Sequence, residues 1–575
     1  MKNRIKQYLL AASMCVGLTA CSDFFEPIPG VQFGLDETFA SKQRTEEYLN
    51  NVYSYVREVT DAIHPNTYGG IFTEASLDGA NRWNKTYAEW TNGSFNSASA
   101  QASEYFSKYY QAIAKASTFI QNVDKCTEAA ASTRGKWKSE ARALRAYYYF
   151  ELLRLYGPIP LIGEDPIPLD ASLEELIKER NSVDECVNFI ATELQSAIDS
   201  GDLLQRAGKA NLGRMDVATC MALKAKLYLY WASPLFNGNT DQASVKNKDG
   251  KQLFPQTEDN SKWTQARDAY ERFMTFATGQ GYKLTEVYTN GKLDPYASCR
   301  AAGEFFTTTW EAVDELIFVK LRDLYDYTYW VCPKFTDFQD TDVTGGGGYY
   351  TTQETVDLFF TKDGLTIEED PGYDKFEGIP GANNFTSGRY YDPNNPSRLY
   401  FDADKSKVLK QWKDREPRFY VNITYSGSIW LNEGKYNEEM RTDFTNGANG
   451  TCGKSKASGD CPDSGYLIRR GAKASNNNGS KHFSPVLRLA DMYLGYAEAL
   501  CMCSDLDNAL TYLNKIRVRA GIPEYTFTAT AGKITCPKTQ TDLLNRIRRE
   551  RLVELVFEWN RYFDVRRWKV AEGQN

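Results

Sequence analysis

One stretch of the sequence, residues 488–521, reads RLADMYLGYAEALCMCSDLDNALTYLNKIRVRAG. Apolar residues recur at three- and four-residue spacing on both sides of a polar turn at Ser504 and Asp505, which predicts two helices. Ala497 and Ala509 mark the place where these helices touch, and Gly521 ends the second one. The length and the alternation of small and large side chains are typical of a tetratricopeptide repeat.

Looser copies of this helical pair lie upstream. The same spacing predicts five earlier helices, over residues 36–58, 101–124, 133–156, 183–200 and 215–233. The second pairs with the third, and the fourth with the fifth. Because repeated helix pairs stack on their neighbours and bury a continuous core, we expect a mostly α fold built as a tetratricopeptide-like superhelix.

Residues 234–485 have a different composition, rich in Gly, Asn, Asp, Tyr and Trp, with few helical runs beyond 261–278. A block of this size is too long for a plain loop and too aromatic for a disordered linker. We predict a large, irregular, loop-rich insertion with short strands that carries the ligand and partner surface. The sequence then divides into a signal peptide (1–20), an N-terminal helical scaffold (21–233), the insertion (234–485) and a C-terminal helical repeat with a closing helix (486–575).

The closing segment, residues 541–570, is predicted to be a helix with many charges. Glu554 and Glu558 share one face of it, with Arg551 and Arg561 three positions away on either side. We favour ion pairs within the helix over a catalytic carboxylate pair.

Composition excludes several classes of function. The chain has 68 basic and 75 acidic residues and a net charge of −7, too balanced for binding nucleic acid through its phosphates. It has only two histidines, His64 and His482, too few for a histidine-rich metal site and unfavourable for a Ser-His-Asp hydrolase. We assign no catalytic residue, no metal and no cofactor. A loop disulfide between Cys452 and Cys461 is left open.

The N-terminus predicts export and lipidation. Lys2, Arg4 and Lys6 precede a short apolar run, as in a secretory signal peptide. The run ends in Leu18-Thr19-Ala20-Cys21, which resembles a bacterial lipobox and makes Cys21 the predicted site of lipid attachment. No later apolar stretch reaches the roughly 18 residues of a membrane-spanning helix.

The chain resembles the SusD/RagB family of outer-membrane lipoproteins of Bacteroidetes. The resemblance is carried by the lipobox region, by KSEARALRAYYYFELLRLYGPIPLI (138–162), DREPRFYVNITYSG (414–427) and the repeat at 487–521, and by IRRERLVELVFEWNRYFDVRRW (547–568). It implies a helical scaffold with an irregular insertion and no catalysis. It also implies a TonB-dependent SusC-like transporter as partner, and capture of oligosaccharides, or in some cases peptides, at the cell surface.

Glycan capture fits the aromatic residues, which number 11 Trp, 37 Tyr and 30 Phe. Aromatic rings match the apolar face of a sugar, and amides and charged groups match its hydroxyls. Two segments outside the predicted helices combine both kinds of side chain, 78–96 and 323–335. From them we predict six carbohydrate-binding residues, Arg82, Trp83, Asn84, Trp90, Tyr329 and Trp330, with Tyr327 as a neighbour. We expect Trp137, Trp231, Trp263, Trp559 and Trp568 to be core residues.

The leading hypothesis is therefore a lipid-anchored glycan-binding protein of the outer membrane that faces the extracellular side. Two alternatives remain, a peptide-binding member of a peptide uptake system and, less favoured, a secreted glycosidase. A plain repeat scaffold for protein partners would bind no small ligand.

Overall fold

The computed structural model describes residues 34–57, 71–76, 78–83, 94–96, 98–163, 167, 171–303, 311–322, 325–335, 345–376, 378, 380–430, 440–445, 452–453, 459–472 and 482–571. Helices dominate both ends of this part of the chain. In the N-terminal half the helices are α1 (Leu35–Ala40), α2 (Lys42–Tyr53), α3 (Ile71–Glu74), α4 (Ala100–Asn122), α5 (Ala131–Tyr156), α6 (Leu173–Leu176), α7 (Val183–Asp199), α8 (Val217–Ala232) and α9 (Ser261–Gly279). The later helices are α10 (Pro295–Gly303), α11 (Tyr325–Val331), α12 (Gln353–Leu358), α13 (Pro417–Asn422), α14 (Leu489–Met502), α15 (Leu506–Ala520), α16 (Gln540–Glu554) and α17 (Asn560–Arg567).

The strands are β1 (Ala80–Asn81), β2 (Tyr288–Thr289), β3 (Lys292–Leu293), β4 (Leu316–Arg322), β5 (Tyr349–Tyr350), β6 (Arg389–Asp392), β7 (Asn395–Asp402), β8 (Ile423–Tyr425), β9 (Tyr466–Ile468), β10 (His482–Arg488), β11 (Tyr525–Thr526) and β12 (Ile534–Thr535). Most strands lie between α9 and α14, whereas β1 precedes α4 and β11 and β12 lie between α15 and α16. One antiparallel sheet has the order β1-β5-β9-β8, and β10 pairs with β4. The predicted mostly α fold with an insertion of short strands is confirmed.

The repeat at 488–521 folds as predicted. Asp505 begins α15, where its carboxylate accepts a hydrogen bond from the Asn508 N–H, and Ser504 before it has a φ of 64°. Gly521 ends α15 with a φ of 73°, the left-handed conformation that glycine adopts without strain. Ala497 and Ala509 are both fully buried, in agreement with their expected place at the helix contact.

The helices form one continuous stack. α4 packs on α5, α5 on α7, α7 on α8, α8 on α9, and α9 on α14 of the C-terminal repeat. Tyr270 of α9 stacks on Tyr496 of α14, with ring centroids 6.1 Å apart. The helical scaffold therefore continues past residue 233 into the range assigned to the insertion. In the first predicted helix, 36–58, the described residues form two helices, α1 and α2, that meet at Ser41.

The closing segment differs from the prediction of one helix. The chain leaves α16 after Glu554 and begins α17 at Asn560, and Phe557 and Trp559 between them have φ values of 62° and 65°. Glu554 and Glu558 make their ion pairs with arginines distant in sequence rather than within one helix. The expected intrahelical pairing is therefore wrong, because both carboxylates are buried against arginines of other elements.

Buried arginines and carboxylates tie the C-terminal elements together. Arg488 pairs with Glu315, Glu554 and Glu558; Arg519 with Glu315 and Glu554; Arg418 with Glu416, Glu550 and Glu554; Arg551 with Asp491 and Asp564; and Arg567 with Glu498 and Asp564. A buried ion destabilises the fold unless it is paired with an opposite charge. Because these arginines share carboxylates, the loss of one arginine would affect several buried ion pairs.

Candidate functional site

The β1–β5 ladder places the first predicted segment against a run of four glycines. Ala80 pairs with Tyr350 and Asn81 with Tyr349, and the Arg82 N–H donates to the Gly348 carbonyl at 3.0 Å. Trp83 follows directly, with its own N–H held by the Asn81 side chain at 2.8 Å. The pairing of β1 with β5 therefore fixes the position of the Trp83 backbone, from which the ring projects.

The second predicted segment meets the same glycines from the other side. The four glycine N–H groups donate to carbonyl oxygens at the end of α11 or just beyond it: Gly345 to Pro333 (3.0 Å), Gly346 to Tyr329 (2.7 Å), Gly347 to Cys332 (2.9 Å) and Gly348 to Trp330 (3.2 Å). The last carbonyls of a helix have no partner within it. The glycine run satisfies them and holds α11 beside Trp83.

Two aromatic rings lie directly on this glycine backbone. A Cβ atom added to Gly346 would lie 2.6 Å from Cη2 of Trp83 and 2.8 Å from Cε1 of Tyr329, and one added to Gly348 would also overlap the Trp83 ring. Only glycine permits so close an approach. Trp83 and Tyr329 both pack against the hydrophobic core and are half-buried, so each residue keeps part of its surface in solvent.

Charged groups surround the two rings. The Trp83 indole Nε1–H donates to Oδ1 of Asp460 at 2.9 Å, and the Lys334 ammonium donates to the other carboxylate oxygen at 2.5 Å. Arg82 forms an ion pair with Asp463. Partial burial alone would raise the pKa of Asp460, but the hydrogen bonds from Lys334 and Trp83 outweigh it and lower the pKa below its usual range.

The structure thus brings together three of the six predicted site residues, Arg82, Trp83 and Tyr329. Trp330 requires a correction, since it is 4% exposed and belongs to the core. The segment was predicted to lie outside helices, but residues 325–331 form α11, in which Trp330 and Tyr327 lie three positions apart on one buried face. Asn84, Trp90 and the lipid-attachment residue Cys21 lie outside the described residues.

Other sequence predictions are settled by burial. The five tryptophans assigned to the core, Trp137, Trp231, Trp263, Trp559 and Trp568, are all buried. Cys452 and Cys461 are also buried, and the structure records no disulfide bond between them.

Sequence reasoning missed Asp460, Lys334 and the role of Gly345 to Gly348. Four consecutive glycines next to an aromatic segment are a usable signal for a close backbone approach. Asp460 gave no such signal, because it lies 377 positions from the indole to which it bonds.

A cleft is lined by residues that follow this surface directly in the chain. Asp463, the partner of Arg82, is followed by Ser464, Gly465 and Tyr466, which line a cavity of about 580 Å³ with Gln353, Trp412 and Phe444. The Trp412 indole N–H donates to the Tyr466 hydroxyl at 3.0 Å, and that hydroxyl donates to Gln353 at 2.7 Å. The surface around Trp83 is therefore continuous in sequence with a polar, aromatic groove.

Glu74 is a buried carboxyl close in the chain to β1. It ends α3, it is 4% exposed, and its Oε1 atom has no hydrogen-bond partner among the described residues. Burial raises the pKa of Glu74 to about 8. The folded chain therefore holds this group as the neutral acid at neutral pH.

We expect Glu74→Gln to stabilise the protein at pH 7.5 and to leave it unchanged at pH 4.5. The unfolded chain ionises Glu74 near the ordinary value of 4.5, so wild-type stability is lost as the pH rises from there to about 8. In this range the free energy of unfolding of the wild type falls by at most about 1.4 kcal/mol per pH unit. The Gln amide does not titrate and adds no such pH dependence. Denaturant midpoints between pH 4.5 and 8 measure the effect, with exposed Glu46→Gln as the control. Parallel pH curves for Glu74→Gln and wild type would contradict the assignment.

Two family models cover most of the chain. Residues 315–575 match the model described as the SusD family, and residues 32–229 match the model described as starch-binding associating with the outer membrane. The chain belongs to the SusD family. These matches include β1, α11, the glycine run and the C-terminal repeat. Residues 230–314 lie between the two models and are matched by neither of them.

A curated relative and two solved structures are similar to this chain. A SusD-like protein of Bacteroides ovatus is 27% identical over 175 residues, which cover 29% of this chain and only 30% of that relative. The solved structure named BT4246 is 25% identical, with a TM-score of 0.74 over 93% of this chain and 90% of its own. A SusD-like carbohydrate binding protein of Bacteroides fragilis, 19% identical, shares the fold, with a TM-score of 0.63 over 93% of this chain and 88% of its own.

Within the part of this SusD-like chain that the structure describes, no helix is both long and apolar enough to cross a membrane.

Proposed function

We propose that this SusD-family protein captures oligosaccharides on the surface formed by Trp83 and Tyr329 and delivers them to a TonB-dependent SusC-like transporter. The observation that supports this most is the seating of two aromatic rings on Gly346 with charged groups at their rim. The family model described as starch-binding and the carbohydrate-binding relative point to the same ligand class.

The arrangement suits a sugar for a physical reason. A pyranose ring presents C–H groups on its faces and hydroxyls at its edge, so it is matched by a fixed aromatic face surrounded by donors and acceptors. The bond from Trp83 to Asp460 and the glycine seat already fix the ring, so little side-chain freedom is lost on binding. Arg82, Lys334 and Asp460 then offer the polar contacts.

The carboxylates at this surface favour binding over hydrolysis. A glycosidase needs one carboxyl that stays protonated until it donates to the leaving group. The lowered pKa of Asp460 keeps it ionised, Asp463 is paired with Arg82, and the neutral Glu74 is buried. We therefore propose a protein that binds glycans without cleaving them.

We also propose that Cys21 carries the lipid and that the protein faces the extracellular side of the outer membrane. The lipobox Leu18-Thr19-Ala20-Cys21 supports the anchor, and the family description supports the membrane. Metabolic labelling with a radioactive fatty acid should mark the wild-type protein and not Cys21→Ala.

Trp83→Ala is expected to weaken glycan binding about tenfold without unfolding the protein, because it removes the larger stacking face. Isothermal titration against a panel of neutral polysaccharides measures it, with wild-type affinities expected between micromolar and millimolar. Trp83→Phe keeps an aromatic face but loses the bond to Asp460, so it should lose about threefold or less.

Wild-type affinity in Trp83→Ala would refute the site. If Trp83→Ala unfolds, the folded Trp83→Phe variant still tests the site by its smaller loss of affinity. Digestion products are checked in the same samples, and shortened chains would overturn the proposal that the protein only binds. Binding of peptides but of no polysaccharide would favour a peptide uptake system.

A further inference from the structure

A cleft of about 1110 Å³ lies on the helical scaffold and shares no lining residue with the Trp83 surface. Its walls come from the end of α9, the β2–β3 hairpin, α14, α15 and the β11–β12 pair. Ligand pockets for small molecules usually measure about 300–1,000 Å³, so this cleft is large enough for an oligomeric ligand.

Tyrosines give the cleft its aromatic character. Tyr282, Tyr288, Tyr493 and Tyr525 line it. Tyr288, on the two-residue strand β2, is 60% exposed and is among the most exposed large side chains of the described chain. Its hydroxyl donates to Glu286 at 2.8 Å, which orients the ring while most of the residue stays in solvent. A ring held in this way can stack on a sugar at a small loss of side-chain freedom.

Charges in the cleft balance one another. Three lysines (Lys283, Lys515 and Lys533) face three acids (Glu286, Asp314 and Glu524). Lys533 pairs with Glu524 at 2.8 Å, and Lys283 lies 3.6 Å from Asp314. Lys515 lies over the rings of Tyr493 and Tyr512, 5.1 and 4.6 Å from their centroids. This balance disfavours both polyanions and polycations as ligands.

Polar groups that suit hydroxyls complete the lining. Thr511, Asn514 and Thr526 lie along the wall formed by α15 and β11. The Thr285 hydroxyl is buried and has no hydrogen-bond partner among the described residues. This hydroxyl lies below the surface of the cleft, so the polar groups open to a ligand are those of Thr511, Asn514 and Thr526.

We propose that this cleft is a second glycan-binding site, specific for neutral oligosaccharides and separate from the Trp83 surface. The proposal rests on the glycan-binding function proposed above but not on Trp83. Two sites on one protein let a single polysaccharide chain bind at both, so each site raises the retention given by the other.

Affinity electrophoresis of the full chain in gels that contain starch, laminarin, xylan, mannan or arabinan tests the proposal. Trp83→Ala should keep residual retardation in one of these gels. Adding Tyr288→Ala should weaken that residual binding a further threefold to tenfold, whereas Tyr391→Ala should leave it unchanged. Tyr391 is a suitable control, because it is another exposed strand tyrosine, 39% exposed, and does not line the cleft.

Hydrogen exchange gives a readout that does not depend on the mutants. In the Trp83→Ala protein, the retained polysaccharide should slow amide exchange in residues 282–293 and 511–518. Unchanged exchange in both segments, or equal retardation of the Tyr288→Ala and Tyr391→Ala variants, would overturn the second site. Loss of all retardation in Trp83→Ala alone would also overturn it while supporting the Trp83 surface, and an unretarded wild type would overturn both.

Discussion

Arg488→Met is expected to lower the free energy of unfolding by about 3–5 kcal/mol. Arg488 is 1% exposed and donates to three carboxylates, at 2.8 Å to Glu315 and Glu554 and at 2.8–3.1 Å to Glu558. It also donates to the backbone carbonyl of Glu554 at 2.7 Å. Methionine fills part of the volume of the arginine side chain. It leaves the buried carboxylates without one of the cations that pair with them.

The position of Arg488 explains why the effect should be large. It lies where β10 ends and α14 begins, and its partners come from the start of β4, from α16 and from the turn after α16. Burial by itself would raise the pKa of Glu554, but Arg519, Arg488 and Arg418 together hold that pKa well below its ordinary value. Removing one of these cations therefore makes protonation of the carboxylates easier.

Chemical denaturation at two pH values measures both consequences. The deficit of Arg488→Met should be largest at pH 7.5 and smaller at pH 4.5, because protonation of the unpaired carboxylates relieves their burial. Lys538→Met is the matched control, since Lys538 and Asp507 form an exposed pair at 2.8 Å that contributes less than about 1 kcal/mol. A deficit below 1 kcal/mol for Arg488→Met would show that the network tolerates loss of its central arginine.

The helical repeats were predictable because their signals are local. In residues 488–521 the apolar spacing, the polar turn and Gly521 all agree, and each acts within a few positions. The break between α16 and α17 has no such signal. Neither glycine nor proline marks residues 555–559, and the left-handed conformations of Phe557 and Trp559 occur in a turn whose Glu558 pairs with Arg488 and Arg470. That turn is set by tertiary ion pairs, which a single sequence does not display.

The candidate site was predictable in part for the same reason. Trp83 and Tyr329 were found because aromatic and polar residues cluster within short segments. Trp330 was misplaced because α11 is only seven residues long, too short to show a helical period. Asp460 and Lys334 reach Trp83 only through the folding of three distant segments onto one glycine run.

Gly346→Ala is expected to weaken glycan binding more than Trp83→Ala does, by about tenfold to a hundredfold, because it displaces two stacking rings. Its new methyl group would meet Trp83 at 2.6 Å and Tyr329 at 2.8 Å, so both rings have to leave the glycine backbone. The same overpacking should destabilise the fold by about 1–3 kcal/mol. Isothermal titration and a thermal melt of the same sample separate the two effects.

Gly34→Ala provides the control, since a Cβ at Gly34 meets no atom within 4 Å and Gly34 lines neither proposed site. This variant should keep wild-type affinity, whereas Gly346→Ala should bind weakly at a temperature where its melt shows a folded protein. Equal affinities for the two variants would mean that the glycan does not require the two rings in their present positions.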